Sequence, residues 1–415
     1  MLLRARFVVP VSRPPIENGA VLVSGTRIKA VGSWRELQRI ARGQTVDLGD
    51  VTLLPGLINA HCHLDYTQMA GCFEPPRRFT DWIKLITAEK GQWSDADFKA
   101  SWLAGARMLV RTGTTTVGDV EALPNLLPEV WDATPLRVFS FLEMTGIRSR
   151  RQPRAVLDEA LAHTRRLKHH RSRAWLSPHA PYSTLPELLN LASRTTRRRR
   201  WRMTTHVAES DQEFEMFVHA QGEMHDWLQR NERNNADCGL GSPVRHLERC
   251  GALNPALLAI HVNYLAPGDA ELLAKRGVQV VHCPRSHAYF RHQAFPFEAL
   301  SAAGVNLSLA TDSLASVTLT RRQTAELNLF EEMREFARRF GSVPAETILR
   351  MVTLNPARAL GCAGKLGELR PGARADLIAV PAASGRGDLF DAIVQHTGPV
   401  SASLIDGAWA LPPGG

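Results

Sequence analysis

Two histidines with one residue between them, His61 and His63, are the residues whose types and spacing first suggest chemistry. They follow an apolar run in the segment PGLINAHCHLD. Side chains two positions apart in an extended strand project from the same face, so both imidazoles leave the end of a buried strand together. Two converging nitrogen ligands suit a divalent metal ion, although most histidines in proteins are only hydrogen-bonded.

Further ionisable residues stand at the ends of other predicted strands. Six of the eight strand ends have a histidine or an aspartate. Besides the first pair these are His179 in SPHAPYS, His206 in TTHVAES, His261 in AIHVNYL, His282 in VVHCPRSH and Asp312 in ATDS, with Glu209 three residues after His206. Imidazole and carboxylate groups collected at one edge of a sheet indicate a metal centre.

The elements that must position these residues are short apolar runs separated by amphipathic segments. The predicted strands are 53–59, 114–119, 138–143, 174–177, 203–207, 258–262, 278–282 and 306–311. The predicted helices include 95–111, 154–168, 185–196 and 319–340, the last with an apolar face. Strands alternating with helices favour a parallel (β/α)8 barrel, whose active sites lie at the carboxyl ends of the strands. A doubly wound open sheet is the alternative, but it would not readily gather all eight strand ends.

The flanks of the chain are β-rich. Segments 19–23 and 27–31 predict two short strands joined by a turn, and LGELRPGARADLIAV and SASLIDGAWA predict strands near the C-terminus. We expect the two ends to pair into one small sheet or sandwich. The predicted fold class is therefore α/β: a (β/α)8 TIM-like barrel at 54–365, with a small β-sandwich domain formed by both termini, 1–53 and 366–415.

Composition limits the class of protein. The chain has 415 residues, of which 44% are apolar, and a net charge of +9. The excess of positive charge is largely arginine, with runs at 165–173 and 194–202 that we interpret as solvated helix faces. No C-x-x-C pair, secretory core or membrane-spanning run occurs, and Cys62 and Cys283 are expected to be small buried residues. We predict a cytoplasmic protein with a small-molecule substrate, without nucleic acid or membrane as partner; a homo-oligomer is left open.

The motifs resemble the amidohydrolase superfamily over essentially the full length. PGLINAHCHLD, SPHAPYS, THVAES, IHVNYL and ATDSLAS occur in the expected order, followed by GELRPGARADLIAV. The resemblance is to the mononuclear-metal branch of aminohydrolases and chlorohydrolases. Within it, HAPYS, THxxES, CPRS and ATDSLAS are most similar to aminodeoxyfutalosine deaminases.

This resemblance implies roles for individual residues. The residues that match metal ligands are His61, His63, His206 and Asp312. Glu209 matches a proton-shuttling carboxylate, His261 a histidine that contacts the bound water or the tetrahedral intermediate, and His179 a substrate contact. Binuclear relatives use a carboxylated lysine on strand four, where this chain has His179 and no lysine at any barrel mouth. The resemblance thus implies one divalent ion, Zn²⁺ or alternatively Fe²⁺.

The chemistry of the ligand set agrees with this. Three imidazoles and a carboxylate leave a position for water, whose pKa a metal lowers toward about 7. The hydroxide would attack a ring carbon bearing an amino group, Asp312 would accept or orient the water proton, and Glu209 would protonate a ring nitrogen and the leaving amine. His261 would hold the hydroxide or stabilise the oxyanion. We predict a metal-dependent hydrolytic deaminase of an aromatic N-heterocycle, an adenine-containing nucleoside such as aminodeoxyfutalosine.

Several alternatives share these residues. A chlorohydrolase, or a deaminase of S-adenosylhomocysteine or methylthioadenosine, would keep the same ligands. A non-catalytic amidohydrolase-like scaffold should have lost some of them. Glu209 could instead cap the following helix, and His179 could be a hydrogen-bonded core residue. His282 could face the barrel or be structural, and His287 stands where the family pattern has asparagine.

The segment after the first strand is long for a βα loop and contains Phe79 and Trp82, three residues apart. Long loops of this kind usually lie over the site. We expect the two rings to bind a purine-like base by stacking. The alternative is that they pack a short helix onto the barrel rim.

Overall fold

The strands of this protein form two sheets, a parallel barrel and a second sheet built from both ends of the chain. The computed structural model describes residues 1–147, 152–319, 325–382 and 388–414. In chain order the first strands are β1 (Leu2–Val8), β2 (Ile16–Ser24), β3 (Arg27–Ser33), β4 (Thr45–Asp47) and β5 (Val51–Pro55). They are followed by β6 (Leu57–Cys62), β7 (Thr114–Glu121), β8 (Arg137–Met144), β9 (Arg173–Pro178) and β10 (Met203–Val207). The last are β11 (Leu257–His261), β12 (Gln279–His282), β13 (Asn306–Leu309), β14 (Leu377–Pro381), β15 (Ala402–Ile405) and β16 (Ala408–Leu411).

Strands β6 to β13 form the barrel, in sequence order and with every neighbouring pair parallel. These strands are almost entirely buried, as parallel strands covered by helices require. At the seam, Cys62 forms a β-bridge with Asp312, and the Asp312 backbone N–H donates to the His61 carbonyl oxygen at 3.2 Å. The sheet therefore closes beside the first histidine pair. The predicted fold class, a barrel with a small β domain from both termini, is confirmed.

The prediction of a single strand at 53–59 is wrong, because the chain passes from one sheet to the other within it. β5 pairs with β14 in the terminal sheet, whereas β6 pairs with β7 in the barrel. Gly56 lies between them, and a Cβ atom there would lie 2.1 Å from Thr115 Oγ1. The crossing thus needs a residue without a side chain.

The terminal sheet has the strand order β16-β15-β14-β5-β1-β2-β3, with β4 paired to β1. The strands predicted at 19–23 and 27–31 lie within β2 and β3. All of its described strands belong to one hydrogen-bonded sheet. The division of the chain into two domains at the predicted boundaries stays a prediction, and residues 383–387 and 415 of the second terminal segment lie outside the described residues.

Helices separate most barrel strands and cover its outside. They are α1 (Trp34–Ile40), α2 (Phe79–Lys90), α3 (Asp95–Arg111), α4 (Leu127–Asp132), α5 (Pro153–Arg166), α6 (Pro186–Arg199), α7 (Asp211–His219) and α8 (Glu223–Arg230). The others are α9 (Pro243–Arg249), α10 (Asp269–Arg276), α11 (Pro284–Tyr289), α12 (Phe297–Ala302), α13 (Leu329–Arg339), α14 (Ala345–Arg350), α15 (Leu354–Ala359) and α16 (Leu389–Val394). Short 3₁₀ turns occupy Leu64–Met69 and Leu314–Ser316. Among the described residues, no helix combines the length and apolar character needed to cross a lipid bilayer.

The helix predicted at 319–340 begins too early. Residues 320–324 lie outside the described residues, and residues 325–328 are not helical. The Asn328 side chain accepts a hydrogen bond from the Phe330 backbone N–H, so α13 begins at Leu329. Leu327 is nevertheless fully buried, so its apolar side chain matches the pattern of the predicted helix face without belonging to the helix.

Candidate metal centre and active-site cavity

The first histidine pair lies at the carboxyl end of the barrel, and both rings face the same point. His61 is in β6 and His63 follows it directly. Their ring centroids are 5.0 Å apart, with the planes at 89°. The Nε2 atoms of His61 and His63 lie 3.4 Å and 3.8 Å from the same oxygen, Oδ1 of Asp312. His61 and His63 lie at the first barrel strand and Asp312 follows the last, so these residues meet where the barrel closes.

His206, in β10, approaches the same point from across the barrel. Its ring lies 5.0 Å from that of His61 and 5.5 Å from that of His63. Its Nδ1 lies 2.9 Å from the carbonyl oxygen of His179. Because a carbonyl oxygen only accepts, Nδ1 has the proton and Nε2 keeps a free lone pair. Contacts of this kind orient histidines that bind metals in proteins.

The donor atoms at this point suit a divalent cation. The donor atoms form two groups, and within each group they lie within 4.8 Å of one another: His61, His63 and His206 in the first, and Glu209, His261 and Asp312 in the second. In the described part of the chain, neither ring nitrogen of His61 has a hydrogen-bond partner, although both are buried. A buried polar atom without a partner is costly. Burial lowers the pKa of His63 and His206, leaving the neutral form that binds metals.

Asp312 contributes the oxygen ligand of this set. Its Oδ2 accepts hydrogen bonds from Ser286 Oγ at 2.7 Å and Ser316 Oγ at 3.3 Å, which leaves Oδ1 facing the histidines. Burial alone would raise the pKa of Asp312, but the neighbouring imidazoles of His61, His261 and His63 hold it well below its usual value. The group is therefore an ionised carboxylate. The residues present fit a divalent metal ion.

The backbone around this point is strained. His261 (φ 71°), Asp312 (φ 55°) and Ala208 (φ 47°) all adopt the left-handed region that residues with a side chain rarely occupy. Each costs on the order of 1 kcal/mol or more, and such strain clusters at functional sites. The ends of three barrel strands are thus bent to aim their side chains.

Glu209 and His261 form the polar wall beside the ligands. His261 Nε2 lies 3.5 Å from Glu209 Oε1. The Glu209 backbone is fixed at both ends, since its N–H donates to Glu213 Oε2 and its carbonyl accepts from Asn263 Nδ2, each at 2.9 Å. Burial, with the charges of Asp312 and Glu213, raises the pKa of Glu209 well above its ordinary value. A carboxyl group in this environment holds a proton more firmly than in water.

A cavity of about 660 Å³ opens above these residues. Aromatic and apolar side chains line much of it: Phe79, Trp82, Ile83, Ile147, Tyr182 and Trp227. Phe79 and Trp82 stack on each other at 5.8 Å and lie in α2, which borders the cavity; their binding of a base stays a prediction. His179 lines the same cavity, and its Nδ1 lies 2.6 Å from Ser183 Oγ.

The sequence reasoning missed three polar residues of this cavity. Lys90, at the end of α2, lines the wall, so the expectation that no lysine stands at the barrel mouth is wrong. Its Nζ is hydrogen-bonded to the hydroxyl of Tyr66. No local pattern marked either residue, because both lie in the long segment after β6. Glu143 lies near the end of β8. It is also the last residue of the predicted strand 138–143, and a charged residue at that position is a signal for a cavity residue.

Two further histidines lie outside the cavity lining. His282 is fully buried and stacks on Phe295 at 3.8 Å, with Phe336 at 6.3 Å, so it packs outward against the helices. His287 Nδ1 lies 3.0 Å from Asn263 Oδ1, and Asn263 in turn holds the Glu209 carbonyl. His287 therefore supports Glu209 through one intermediate side chain.

A second cavity of about 760 Å³ lies at the opposite, amino end of the barrel strands. Its polar lining is mostly cationic and includes Arg197, Arg200 and Arg202 from the second arginine run. Arg202 is held by the carbonyl oxygen of Pro255 at 2.6 Å. No histidine or carboxylate lines it in the described chain, so it lacks metal-binding donors. The cavity above His61 is smaller, but histidine and carboxylate side chains line it, so it is the candidate active site.

The sequence pattern of the amidohydrolase family matches residues 52–399. The chain belongs to the amidohydrolase family. This amidohydrolase is 33% identical over 379 residues to the 5-methylthioadenosine/S-adenosylhomocysteine deaminase of Syntrophobacter fumaroxidans, which spans 88% of this chain and 80% of the relative. The family predicted from the sequence motifs is confirmed.

Solved structures give the same fold. An adenosine deaminase from Xanthomonas campestris with bound zinc has a TM-score of 0.85 and 25% identity to this amidohydrolase, covering 99% of this chain and 92% of that one. The Helicobacter pylori aminofutalosine deaminase, in complex with methylthio-coformycin, has a TM-score of 0.86 and 21% identity, covering 98% and 99%. At 21% identity this second likeness concerns the fold alone.

Proposed function

We propose that this amidohydrolase is a metal-dependent hydrolytic deaminase that removes the amino group from the adenine ring of a nucleoside and releases ammonia. The observation that supports this most directly is the meeting of three imidazoles, the Asp312 carboxylate and a proton-holding Glu209 at the floor of an aromatic cavity. The relatives named above are deaminases of adenine-containing compounds. We also propose a cytoplasmic location and a small-molecule substrate.

The proposed ligands are His61, His63, His206 and Asp312, which would hold one divalent ion. Zn²⁺ is our first choice and Fe²⁺ the alternative, since availability often decides between metals at such sites. A metal bound there supplies a Lewis acid that activates water at neutral pH. The serine hydroxyls on Asp312 Oδ2 fix the direction of the other carboxylate oxygen.

The proton transfers fall to Glu209 and its neighbours. Glu209 Oε1 would give a proton to a ring nitrogen of the base and then assist the departing amino group. His261, 3.5 Å from that oxygen, would stabilise the negative charge that develops on the attacked carbon's oxygen. His179 and the stacked pair Phe79 and Trp82 would hold the base in position.

Ammonia release from a panel of adenine compounds tests this proposal. The panel comprises adenosine, 5′-deoxyadenosine, methylthioadenosine, S-adenosylhomocysteine and aminodeoxyfutalosine. We expect turnover of at least one, loss of activity on chelation, and recovery on adding Zn²⁺. Glu209→Gln should retain the metal and lose at least about 100-fold in kcat, because the amide cannot carry the proton.

The matched control is Glu187→Gln, a glutamate exposed on α6, which should leave kcat unchanged. Chloride release from a chlorotriazine, without ammonia from any adenine compound, would favour the chlorohydrolase alternative. A purified protein with no bound metal and no turnover would favour the scaffold alternative. Full activity in the Glu209 variant would contradict the proposed role of this residue.

A further inference from the structure

Glu143 is an acidic side chain on the cavity wall. It is the residue before the last in β8, is half-buried and lines the cavity together with candidate metal ligands. Within the described ranges, no backbone or side-chain group donates a hydrogen bond to its carboxylate. A half-buried carboxylate loses part of its hydration and gains stability when a ligand donates hydrogen bonds to it.

Lys90 is a cation on the same cavity wall. Its Nζ is hydrogen-bonded to the Tyr66 hydroxyl, and in the described chain this is its only hydrogen bond. Burial alone would lower the pKa of Lys90, but the neighbouring Tyr66 and Glu143 outweigh burial and raise the pKa. An ammonium group has three N–H donors, so two remain for a ligand.

The position of Lys90 relative to the metal centre is set by one aromatic ring. Tyr66 stacks on His63 with centroids 5.1 Å apart and planes at 4°, and the ammonium of Lys90 lies at its hydroxyl. The ring of Tyr66 therefore separates the Lys90 ammonium from His63, a candidate metal ligand. A purine with its amino-bearing carbon at the metal centre would direct its sugar across a comparable distance.

The charges of the two side chains select the chemistry of the ligand. Glu143 offers acceptors and Lys90 offers donors, and together they are neutral. A phosphate or carboxylate on the ligand would pair with Lys90 but meet Glu143, with Asp312 nearby in the same cavity. A cationic group would meet the reverse conflict. Vicinal hydroxyls satisfy both partners, because each hydroxyl donates one hydrogen bond and accepts another.

We infer that Glu143 and Lys90 bind the 2′- and 3′-hydroxyls of a ribose, so that the substrates are ribonucleosides rather than free bases or deoxynucleosides. This rests on the proposed function and specifies the substrate class of the same site. Glu143 accepts from both hydroxyls, and Lys90 donates to one of their oxygens. The pair determines specificity, while the reacting atoms lie at the metal centre.

The test compares kcat/KM of the metal-loaded enzyme for adenosine, 2′-deoxyadenosine, 3′-deoxyadenosine, 2′,3′-dideoxyadenosine and adenine. For the wild type we expect adenosine to exceed 2′,3′-dideoxyadenosine by about 10- to 100-fold, as lost hydrogen bonds to charged groups require. Glu143→Gln and Lys90→Met should each reduce this ratio to within about threefold. The thermal unfolding midpoint and the bound-metal content of both variants should stay near those of the wild type, which would show that the variants are folded.

The control is Lys99→Met on α3, whose ammonium pairs with Glu129 and does not line the cavity. It should keep the wild-type ratio. A ratio near one in the wild type, an unchanged ratio in both cavity variants, or an equal fall in the Lys99 variant would overturn the inference while leaving the deaminase proposal intact. Absence of ammonia from every adenine compound would overturn both.

Discussion

Two carboxyl groups in the same cavity have opposite pKa shifts, and their neighbours explain why. Asp312 is surrounded by imidazoles and accepts hydrogen bonds, so its pKa is low and the group is an anion ready to bind a cation. Glu209 is buried beside two other carboxyl groups, so its pKa is high. Such pairs separate a ligand from a proton carrier. Two side chains with the same carboxyl group thus have different roles, one as a metal ligand and one as a proton carrier, because their burial and their neighbours differ.

Glu213 provides a residue-scale prediction of stability. It is fully buried in the first turn of α7, and burial raises its pKa to about 8 in spite of hydrogen bonds from two backbone N–H groups. In the unfolded chain the pKa returns to its ordinary value, so the folded state holds the proton to higher pH. Its contribution to stability is complete below about pH 4.5 and is lost as the pH rises toward 8.

We therefore expect Glu213→Gln to match the wild type near pH 4.5 and to exceed its free energy of unfolding by roughly 2–4 kcal/mol at pH 8. The glutamine oxygen can still accept from the Glu209 N–H. Denaturant unfolding at a series of pH values measures this difference. Glu215→Gln on the same helix should give curves parallel to the wild type; parallel curves for Glu213→Gln would contradict the raised pKa.

At the scale of elements, α3 determines where the segment after His63 lies. Gly105 faces the 3₁₀ turn Leu64–Met69, and a Cβ atom there would lie 2.3 Å from Thr67 Oγ1 and 2.9 Å from Leu64 Cδ2. Propensity alone makes alanine about 1 kcal/mol better than glycine in a helix. Here we expect Gly105→Ala to destabilise by about 1–3 kcal/mol instead, because the turn must shift.

The shift of the 3₁₀ turn caused by Gly105→Ala should also lower kcat/KM, because this turn directly follows His63, a candidate metal ligand. Denaturant unfolding and ammonia release measure the two effects. Ala100→Gly, exposed on the same helix, gives the propensity scale and should cost about 1 kcal/mol without a change in kcat. A Gly105→Ala enzyme more stable than the wild type would show that the helix and the turn are not in close contact.

Elements with local signals were predictable, and those without were not. Segment 95–111 matches α3 because Ser94 and Asp97 form a capping box, a signal contained within four residues. The predicted helix 319–340 is too long, because tertiary packing buries Leu327 before the helix begins. The sequence predicts one strand at 53–59 instead of two, because an apolar run does not show which sheet each half joins.

At the scale of the molecule, Arg137 joins the barrel to the terminal sheet. It begins β8, is buried, and its Nη2 lies 2.8 Å from Asp406 Oδ1 and 3.3 Å from Asp376 Oδ2. Removing one partner of a buried ion pair leaves the other charge uncompensated. We expect Arg137→Met to lower the free energy of unfolding by about 3–5 kcal/mol, measured by denaturant unfolding.

Arg6→Met is the comparison, because Arg6 pairs with Asp50 at the exposed surface. It should cost less than about 1 kcal/mol. Limited proteolysis should cut the terminal strands of the Arg137 variant sooner than those of the wild type. Equal stabilities for the two variants would show that the Arg137 contacts do not hold the sheet to the barrel.

The sequence by itself determined the alternation of strands and helices, the family and the candidate ligands. Each of these depends on residues a few positions apart, as with the two histidines on one strand face. The tertiary structure alone decided which side chains meet. Closure of the barrel brings Asp312 to His61, and the folding of α2 over the rim brings Lys90 toward Glu143. These contacts join residues tens to hundreds of positions apart, and no local pattern encodes such a distance.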